Sequence, residues 1–158
     1  MSSHTQAAAT TITRSVVVNA PIERAFEVFT EGIGTWWPAG HHMMGEDAVM
    51  VFEPRAGGRI VDRGADGNEC AWARVLAYEP PTRVVFTWDI SAEWQIETDL
   101  SKTSEVEVRF IAETADRTRV ELEHRHLERH GLGWEGMREA LSSGEGWPLE
   151  LASYARAV

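Results

Sequence analysis

The sequence predicts an α+β domain in which an antiparallel sheet of six or seven strands covers a C-terminal helix. Three observations lead to this prediction. A β-branched run enters a helix near the N-terminus, several later runs alternate between polar and apolar residues, and the C-terminal segment carries apolar side chains at helical spacing. The gaps between the strands have hairpin length, whereas parallel pairing needs longer crossovers. The sheet must then bury the apolar face of the last helix.

The first elements are predicted from local chemistry. Residues 16–18 are three valines, whose branched side chains pack well on a pleated surface and favour a strand. Pro21 fixes its φ angle where a helix can begin, so Asn19 or Ala20 should provide the N-cap. Residues 30–37 predict a second short helix, which must stop before the proline that follows.

The remaining strands are bounded by glycine, proline and other turn residues. They are predicted at residues 49–53, 59–63, 70–78, 83–88, 105–110 and 119–126. Loops are expected between them, above all at 38–48 and 90–103. A short helix follows at 135–141, and a final helix starts near Pro148.

Composition and charge exclude several classes of function. The chain has 158 residues and a net charge of −10, which opposes binding to nucleic acid or to anionic lipid. No run approaches the roughly 18 apolar residues that a membrane helix needs. Cys70 is the only cysteine, so we expect a cytoplasmic protein without intrachain disulfides. Residues 1–13 predict a flexible N-terminal arm before a single domain over 14–158.

The opening at residues 16–30 resembles that of START-like, helix-grip domains of the SRPBCC superfamily. Further stretches resemble one branch of it, the homologues of the heat-shock-protein-90 ATPase activator. In chain order they are 36–38 (Trp-Trp-Pro), 53–59 (Glu-Pro-Arg-Ala-Gly-Gly-Arg), 72–81 (from Trp to Pro-Pro), 84–88 (Val-Val-Phe-Thr-Trp), 104–108 (Ser-Glu-Val-Glu-Val), 121–125 (Glu-Leu-Glu-His-Arg) and 146–148 (Gly-Trp-Pro). Together they cover about residues 14–157.

This resemblance implies a helix-grip fold, with a curved sheet around the C-terminal helix, two short helices after the first strand, and a cavity between sheet and helix. Bacterial members of this branch are mostly single domains without an assigned reaction. The founding members are co-chaperones, so a chaperone is one alternative partner. The match also makes Glu69 a candidate for the cavity. His124 fits the family pattern, and His126 stands where many relatives carry a smaller residue.

Seven tryptophans are many for a domain of this size. Indoles fill protein cores, but they also form the apolar walls of ligand pockets. Adjacent helical residues point about 100° apart, so Trp36 and Trp37 should not share one buried seam, and one of them should face the cavity mouth. We predict a ligand-binding wall that contains Trp36, Trp37, Trp72, Phe86, Trp88, Trp147, Leu151 and Tyr154.

Two histidines in the last predicted strand, His124 and His126, share their parity with apolar residues and should face the core. A buried imidazole needs a hydrogen-bond partner. His124 is therefore a satisfied structural histidine, a polar anchor for a ligand, or an acid/base group. If His126 also points inward, it narrows the cavity.

Metal and cofactor chemistry is not predicted. Residues 41–44 read His-His-Met-Met, but adjacent histidines seldom converge on one ion. We therefore keep His41 only as a candidate ligand contact. The sequence also lacks a Gly-x-Ser-x-Gly elbow, a phosphate loop and a Cys-x-x-Cys pair.

Three functions stay open on the sequence alone. The first, which we favour, is non-catalytic binding of a small hydrophobic or amphipathic ligand, linked to stress response or regulation. The second is a cyclase or hydrolase that uses His124 as acid/base, with Glu69 assisting. The third is a chaperone-interacting module. A homodimer is compatible with each of them.

Overall fold

The structure, a computed structural model, describes residues 10–158. Over this range seven strands form one curled antiparallel sheet in the order β1-β7-β6-β5-β4-β3-β2. The strands are β1 (Ile12–Val18), β2 (Val49–Phe52), β3 (Arg59–Arg63), β4 (Glu69–Glu79), β5 (Arg83–Trp88), β6 (Ser104–Thr114) and β7 (Arg117–Arg125). Register shifts interrupt the β3–β4, β4–β5 and β6–β7 ladders, and such bulges bend a sheet. The predicted α+β helix-grip fold is confirmed.

Three α-helices accompany the sheet in the described part of the chain: α1 (Ile22–Phe29), α2 (Trp134–Ser142) and α3 (Trp147–Ala157). The C-terminal helix α3 packs beside β1 and buries Trp147, Leu151 and Tyr154, as its spacing predicts. Short 3₁₀ turns lie at Ile33–Thr35, Ala39–His41, Leu100–Lys102 and Leu127–His130. Between residues 10 and 158, none of the helices has the length and apolar character needed to cross a membrane.

Two predicted details near the N-terminus are wrong. Pro21 itself is the N-cap residue of α1, and its carbonyl accepts from the N–H of Ala25 at 3.0 Å. No side chain caps this helix, because the proline ring has no hydrogen-bond acceptor. The second predicted helix, 30–37, is only the 3₁₀ turn at Ile33–Thr35. Glycines at positions 32 and 34 lower helix propensity there.

The boundaries of the first and last strands also differ from the prediction. Strand β1 begins at Ile12, inside the predicted arm 1–13, and residues 1–9 of that arm lie outside the described residues. Strand β7 ends at Arg125, and His126 has a left-handed backbone with φ 65°. The strand parity therefore does not extend to His126, which is half-buried and does not continue the inward face.

The interior between the sheet and α3 is filled mainly by aromatic rings in edge-to-face or tilted contact. Tyr154 contacts Trp36 with ring centroids 5.5 Å apart, and Trp37 contacts Trp72 at 5.2 Å. Trp72 in turn contacts Trp88 at 5.3 Å. Because these rings occupy the middle of the space under the sheet, the hollow between the sheet and α3 lies at one end.

Candidate functional site

The hollow is a cavity of about 470 Å³ at the end of the aromatic core where α3 begins. Strand β5 ends on its wall with Trp88, α3 starts on it with Trp147, and the loop before β2 closes it with Trp37. Polar and smaller residues complete the wall: Gly40, His41, His42, Met43, Ile90, Trp94, Ala140, Leu141, Ser143, Glu145, Gly146 and Glu150. An apolar, indole-rich wall with a few polar groups is typical of small-molecule sites.

The main polar feature of the wall is a pair formed by His41 and Glu150. Nδ1 of His41 donates to Oε1 of Glu150 across 109 positions of sequence. This hydrogen bond raises the pKa of His41, against the opposing effect of its partial burial. Burial raises the pKa of Glu150, and the hydrogen bond from His41 offsets part of that effect. The cavity thus contains an imidazole that is hydrogen-bonded to a carboxyl group.

A second histidine–carboxylate pair fastens the same loop to the sheet. Nδ1 of His42 lies 2.5 Å from Oδ1 of Asp62, which is fully buried on β3. The backbone N–H of Met44 donates to the other oxygen of Asp62 at 2.9 Å. Consecutive histidines therefore point in different directions, one to α3 and one to β3. Among residues 10–158, no group of three or more His, Cys, Asp or Glu side chains is arranged to hold a metal ion.

Two buried polar atoms on wall residues have no hydrogen-bond partner within the described part of the chain. They are Nε1 of Trp88, a donor, and Oε2 of Glu150, an acceptor. Both residues are 5% exposed. An unpaired buried polar group costs about 1–3 kcal/mol. Groups of this kind at a cavity wall are candidates for pairing with a ligand.

His124 lies behind the wall and not on it. Its Nδ1 accepts from Nε1 of Trp147 at 3.0 Å, and its Nε2 lies 2.7 Å from Oγ of Ser104. Burial lowers the pKa of His124 to about 3, with a further lowering from His130 nearby. The side chain is fully buried, neutral and bonded at both nitrogens. Both ring nitrogens already have partners within the core, so no free nitrogen of His124 faces the cavity.

The other residues predicted for the site divide into three groups. The cavity wall contains Trp37, His41, Trp88 and Trp147. Trp36, Trp72, Phe86, Leu151 and Tyr154 are buried in the core away from it. The remaining two lie elsewhere: Glu69 is exposed and paired with Arg63 at 2.8 Å, and His126 follows the end of β7.

The core positions of these residues have specific causes. Nε1 of Trp36 donates to the carbonyl of Val28, and Nε1 of Trp72 lies 3.1 Å from the sulfur of Met50. Trp36 and Trp37 are both buried, with ring centroids 5.8 Å apart. The 100° separation of helical neighbours does not apply to them because the helical turn ends at Thr35. The two indoles therefore do lie together in the buried interior, and Trp37 is the one of the pair that faces the cavity.

Sequence reasoning missed Glu150, Trp94 and His42 as wall residues. Glu150 sits one position before Leu151 on an amphipathic helix, so a charged residue there is expected to face solvent. Its burial was detectable only through its distant partner His41. Trp94 lies in segment 90–103, which the sequence predicts only as a loop. The feature that distinguishes it is a left-handed backbone with φ 63°, which a tryptophan gives no reason to expect.

A family model described as "Activator of Hsp90 ATPase homolog 1-like protein" matches residues 19–155. The chain belongs to this family. The match confirms the resemblance inferred from the sequence motifs. No curated protein matches the chain.

Solved structures that resemble this member of the Activator of Hsp90 ATPase homologue family have different described roles. The anthrahydroquino-gamma-pyrone synthase Txn09, complexed with SUM, shares 40% identity with a TM-score of 0.68, over 94% of this chain and 96% of that one. CalC, a self-sacrificing resistance protein from Micromonospora echinospora, shares 29% identity with a TM-score of 0.67, over 94% of both chains. An HSP90 activator from Plasmodium falciparum shares 17% identity with a TM-score of 0.51, over 73% and 72%, and shows the fold alone.

Proposed function

We propose that this protein binds a flat, polycyclic, largely apolar compound in the cavity at the start of α3. The observation that supports this most directly is the composition of the wall, where the indoles of Trp37, Trp88 and Trp147 surround a space of about 470 Å³. Such a volume holds a drug-sized molecule. A ligand of about 20 heavy atoms at roughly 0.3 kcal/mol each gains about 6 kcal/mol, which corresponds to a Kd of tens of micromolar.

The polar atoms of the wall favour a ligand that carries both a carbonyl and a hydroxyl group. Nε1 of Trp88 needs an acceptor, and Oε2 of Glu150 needs a donor. A hydroxylated polycyclic ketone or quinone offers both groups on one rigid frame. The synthase that shares 40% identity with this chain is named for an anthrahydroquinone and a pyrone, which are compounds of this kind.

Titration calorimetry with alizarin, a flat tricyclic hydroxyquinone, tests the binding proposal. We expect saturable binding by the wild-type protein, and weaker binding by Trp37→Phe, which loses part of the wall. The neighbouring variant Trp36→Phe is the matched control. It changes an equally buried indole away from the cavity, so it should lower stability but not affinity. The proposal fails if no heat of binding is seen at millimolar alizarin, or if the two variants lose affinity equally.

A second candidate function is ring closure on the bound compound, and the His41–Glu150 pair favours it. In this reaction a hydroxyl group of the substrate adds to an adjacent α,β-unsaturated ketone. Oε2 of Glu150 takes the hydroxyl proton, the oxygen bonds to the β-carbon, and the carbon–carbon π bond breaks toward the ketone. His41 then returns a proton to the α-carbon. The product is an isomer of the substrate, so no oxidant, reductant or co-reactant is needed.

The electrostatics of the pair suit this chemistry. Burial raises the pKa of Glu150, which makes its carboxylate a stronger base than an exposed one. The hydrogen bond to Glu150 raises the pKa of His41, so the imidazolium stays available as the acid. The 40% identity to a synthase over nearly the whole chain supports the same candidate.

Turnover of a hydroxyanthraquinone that carries an adjacent α,β-unsaturated ketone tests this second candidate. We expect Glu150→Gln and His41→Asn to lose at least about 100-fold in kcat, because general acid–base catalysis contributes roughly 10²–10⁴-fold. Their affinity for alizarin should fall far less. His126→Asn, outside the cavity, is the control and should keep the wild-type rate. Wild-type turnover no faster than the spontaneous reaction would remove the enzymatic candidate and leave the binding proposal standing.

A further inference from the structure

The loop between β5 and β6 presents an ordered projection at the edge of the cavity. Ile90 and Ile96 form an isolated antiparallel bridge. The N–H of Ser91 donates to the carbonyl of Gln95 at 2.7 Å. The hydroxyl oxygen of Ser91 also accepts from two backbone N–H groups of the turn at 3.3 Å. The turn is therefore held by its own hydrogen bonds.

Trp94 occupies the left-handed position of this turn. Its φ is 63°, and its N–H donates to the carbonyl of Ser91 at 2.9 Å. Glycine or asparagine is usual at such positions, because a bulky side chain there brings its Cβ against the neighbouring carbonyl. Large residues persist in this conformation mainly where the surrounding structure enforces it, often at ligand sites.

The indole of Trp94 lacks the packing role that the other wall indoles have. Trp88 and Trp147 are about 5 % exposed or less, and their ring centroids lie 5.5 Å apart. Trp94 is 47% exposed, and no ring contact or hydrogen bond of its side chain is found among residues 10–158. Its ring nevertheless lines the cavity. The fold thus keeps an unfavourable residue whose side chain contributes little to the core.

We propose that Trp94 is a ligand-clamping residue that stacks its indole on the flat face of the bound compound. The inference rests on the proposed binding function and adds a specificity element to it. A planar aromatic compound gains a further aromatic surface from Trp94, whereas a puckered saturated one does not. An exposed ring in a left-handed turn is already placed at the rim, so little rearrangement is needed to cover the ligand.

The test compares three variants by alizarin calorimetry and thermal unfolding. Trp94→Asn suits the left-handed backbone and removes the ring. We expect it to melt at or above the wild-type temperature. It should bind alizarin about tenfold more weakly, because it loses the stacking contribution of one aromatic side chain. Trp94→Phe keeps a ring and should stay within about threefold of wild type. His126→Asn is the matched control, because His126 has φ 65° but lies outside the cavity. Its binding should equal wild type.

Each remaining outcome overturns the inference. If Trp94→Asn binds alizarin as well as wild type does, the indole is not a clamp. If Trp94→Asn melts well below wild type, the indole is part of the folded core instead. If wild type itself does not bind alizarin, the proposed function fails and this inference fails with it. If wild type binds alizarin and Trp94→Asn binds it equally well, the clamp inference fails while the proposed function stands.

Discussion

Trp147 donates its indole N–H to Nδ1 of His124 over 3.0 Å, and this bond fixes the protonation of a buried chain of groups. Because Nδ1 accepts, the proton of neutral His124 lies on Nε2 and is donated to Oγ of Ser104 at 2.7 Å. The hydroxyl of Ser104 is then free to donate to Nε2 of His130, also at 2.7 Å. A residue of the cavity wall is thereby anchored to the interior of the sheet.

Replacement of His124 should show how much this chain contributes to stability. His124→Phe leaves the buried indole N–H of Trp147 and the hydroxyl of Ser104 without their partner, which we expect to cost about 2–4 kcal/mol. His124→Gln retains one acceptor and one donor, so it should lose less. Urea unfolding at neutral pH measures both. Equal losses in the two variants would mean that volume, and not hydrogen bonding, determines the effect.

His124 should also make the protein sensitive to acid. Burial lowers its pKa to about 3 from a model-peptide value of 6.5, so the folded state binds fewer protons than the unfolded state between these values. Stability is therefore fully present above pH 6.5 and falls as the pH drops toward 3, by at most about 1.4 kcal/mol per pH unit. His124→Gln should flatten this slope in urea titrations repeated along the pH series. An unchanged slope would show that other groups cause the acid sensitivity.

The strand pattern was predictable because it depends on local chemistry. Strand β5 has the predicted bounds, and the alternation along β7 correctly predicts that His124 faces the core. The same parity could not be carried one step further to His126, because a change of backbone conformation after Arg125 leaves no mark on the alternation. Side-chain direction is readable only while the strand continues.

The position of the cavity was not predictable, since it depends on contacts between distant segments. An inward-facing aromatic residue fills the core or lines a hollow according to what lies opposite. The ring centroids of Trp72 and Phe86 lie 6.2 Å apart, and these two side chains fill the core. Trp88, two residues beyond Phe86 on the same strand, lines the cavity instead. The pairing of His41 with Glu150 across 109 positions likewise has no local sequence signal.

The His41–Glu150 pair should make stability fall as the pH rises above neutrality. The hydrogen bond to Glu150 raises the pKa of His41 above 6.5, so the folded state holds this proton more tightly than the unfolded state. The contribution is fully present below pH 6.5 and is lost as the pH rises through the folded value. Burial raises the pKa of Glu150, which acts in the same direction at lower pH.

Melting temperatures between about pH 6 and 9 measure this effect, because the interval brackets the titration of histidine. His41→Gln should be less stable than wild type at the acid end, and the difference should shrink toward the alkaline end. A difference that stays constant across the interval would show that the loss is one of packing. A difference that grows with pH would contradict the direction of the shift.

Gly146 should be the least replaceable glycine at the cavity. It precedes α3 and lies on the cavity wall. A Cβ added there would overlap the carbonyl oxygens of Leu141 and of Ala140, the latter at 2.6 Å. These are backbone atoms of α2, so only a shift of the junction between the two helices could relieve the overlap. We expect Gly146→Ala to lose at least about 2 kcal/mol in urea unfolding.

Gly136 provides the matched control for this substitution. It lies within α2, is exposed, and an added Cβ meets no atom within 4 Å. Alanine has the higher helix propensity, so Gly136→Ala should gain about 0.5–1 kcal/mol. Opposite signs for the two glycine-to-alanine changes follow from the tight junction of α2 and α3, which forms this side of the cavity. If Gly146→Ala is as stable as wild type, the two helices do not approach each other closely enough to shape the cavity wall.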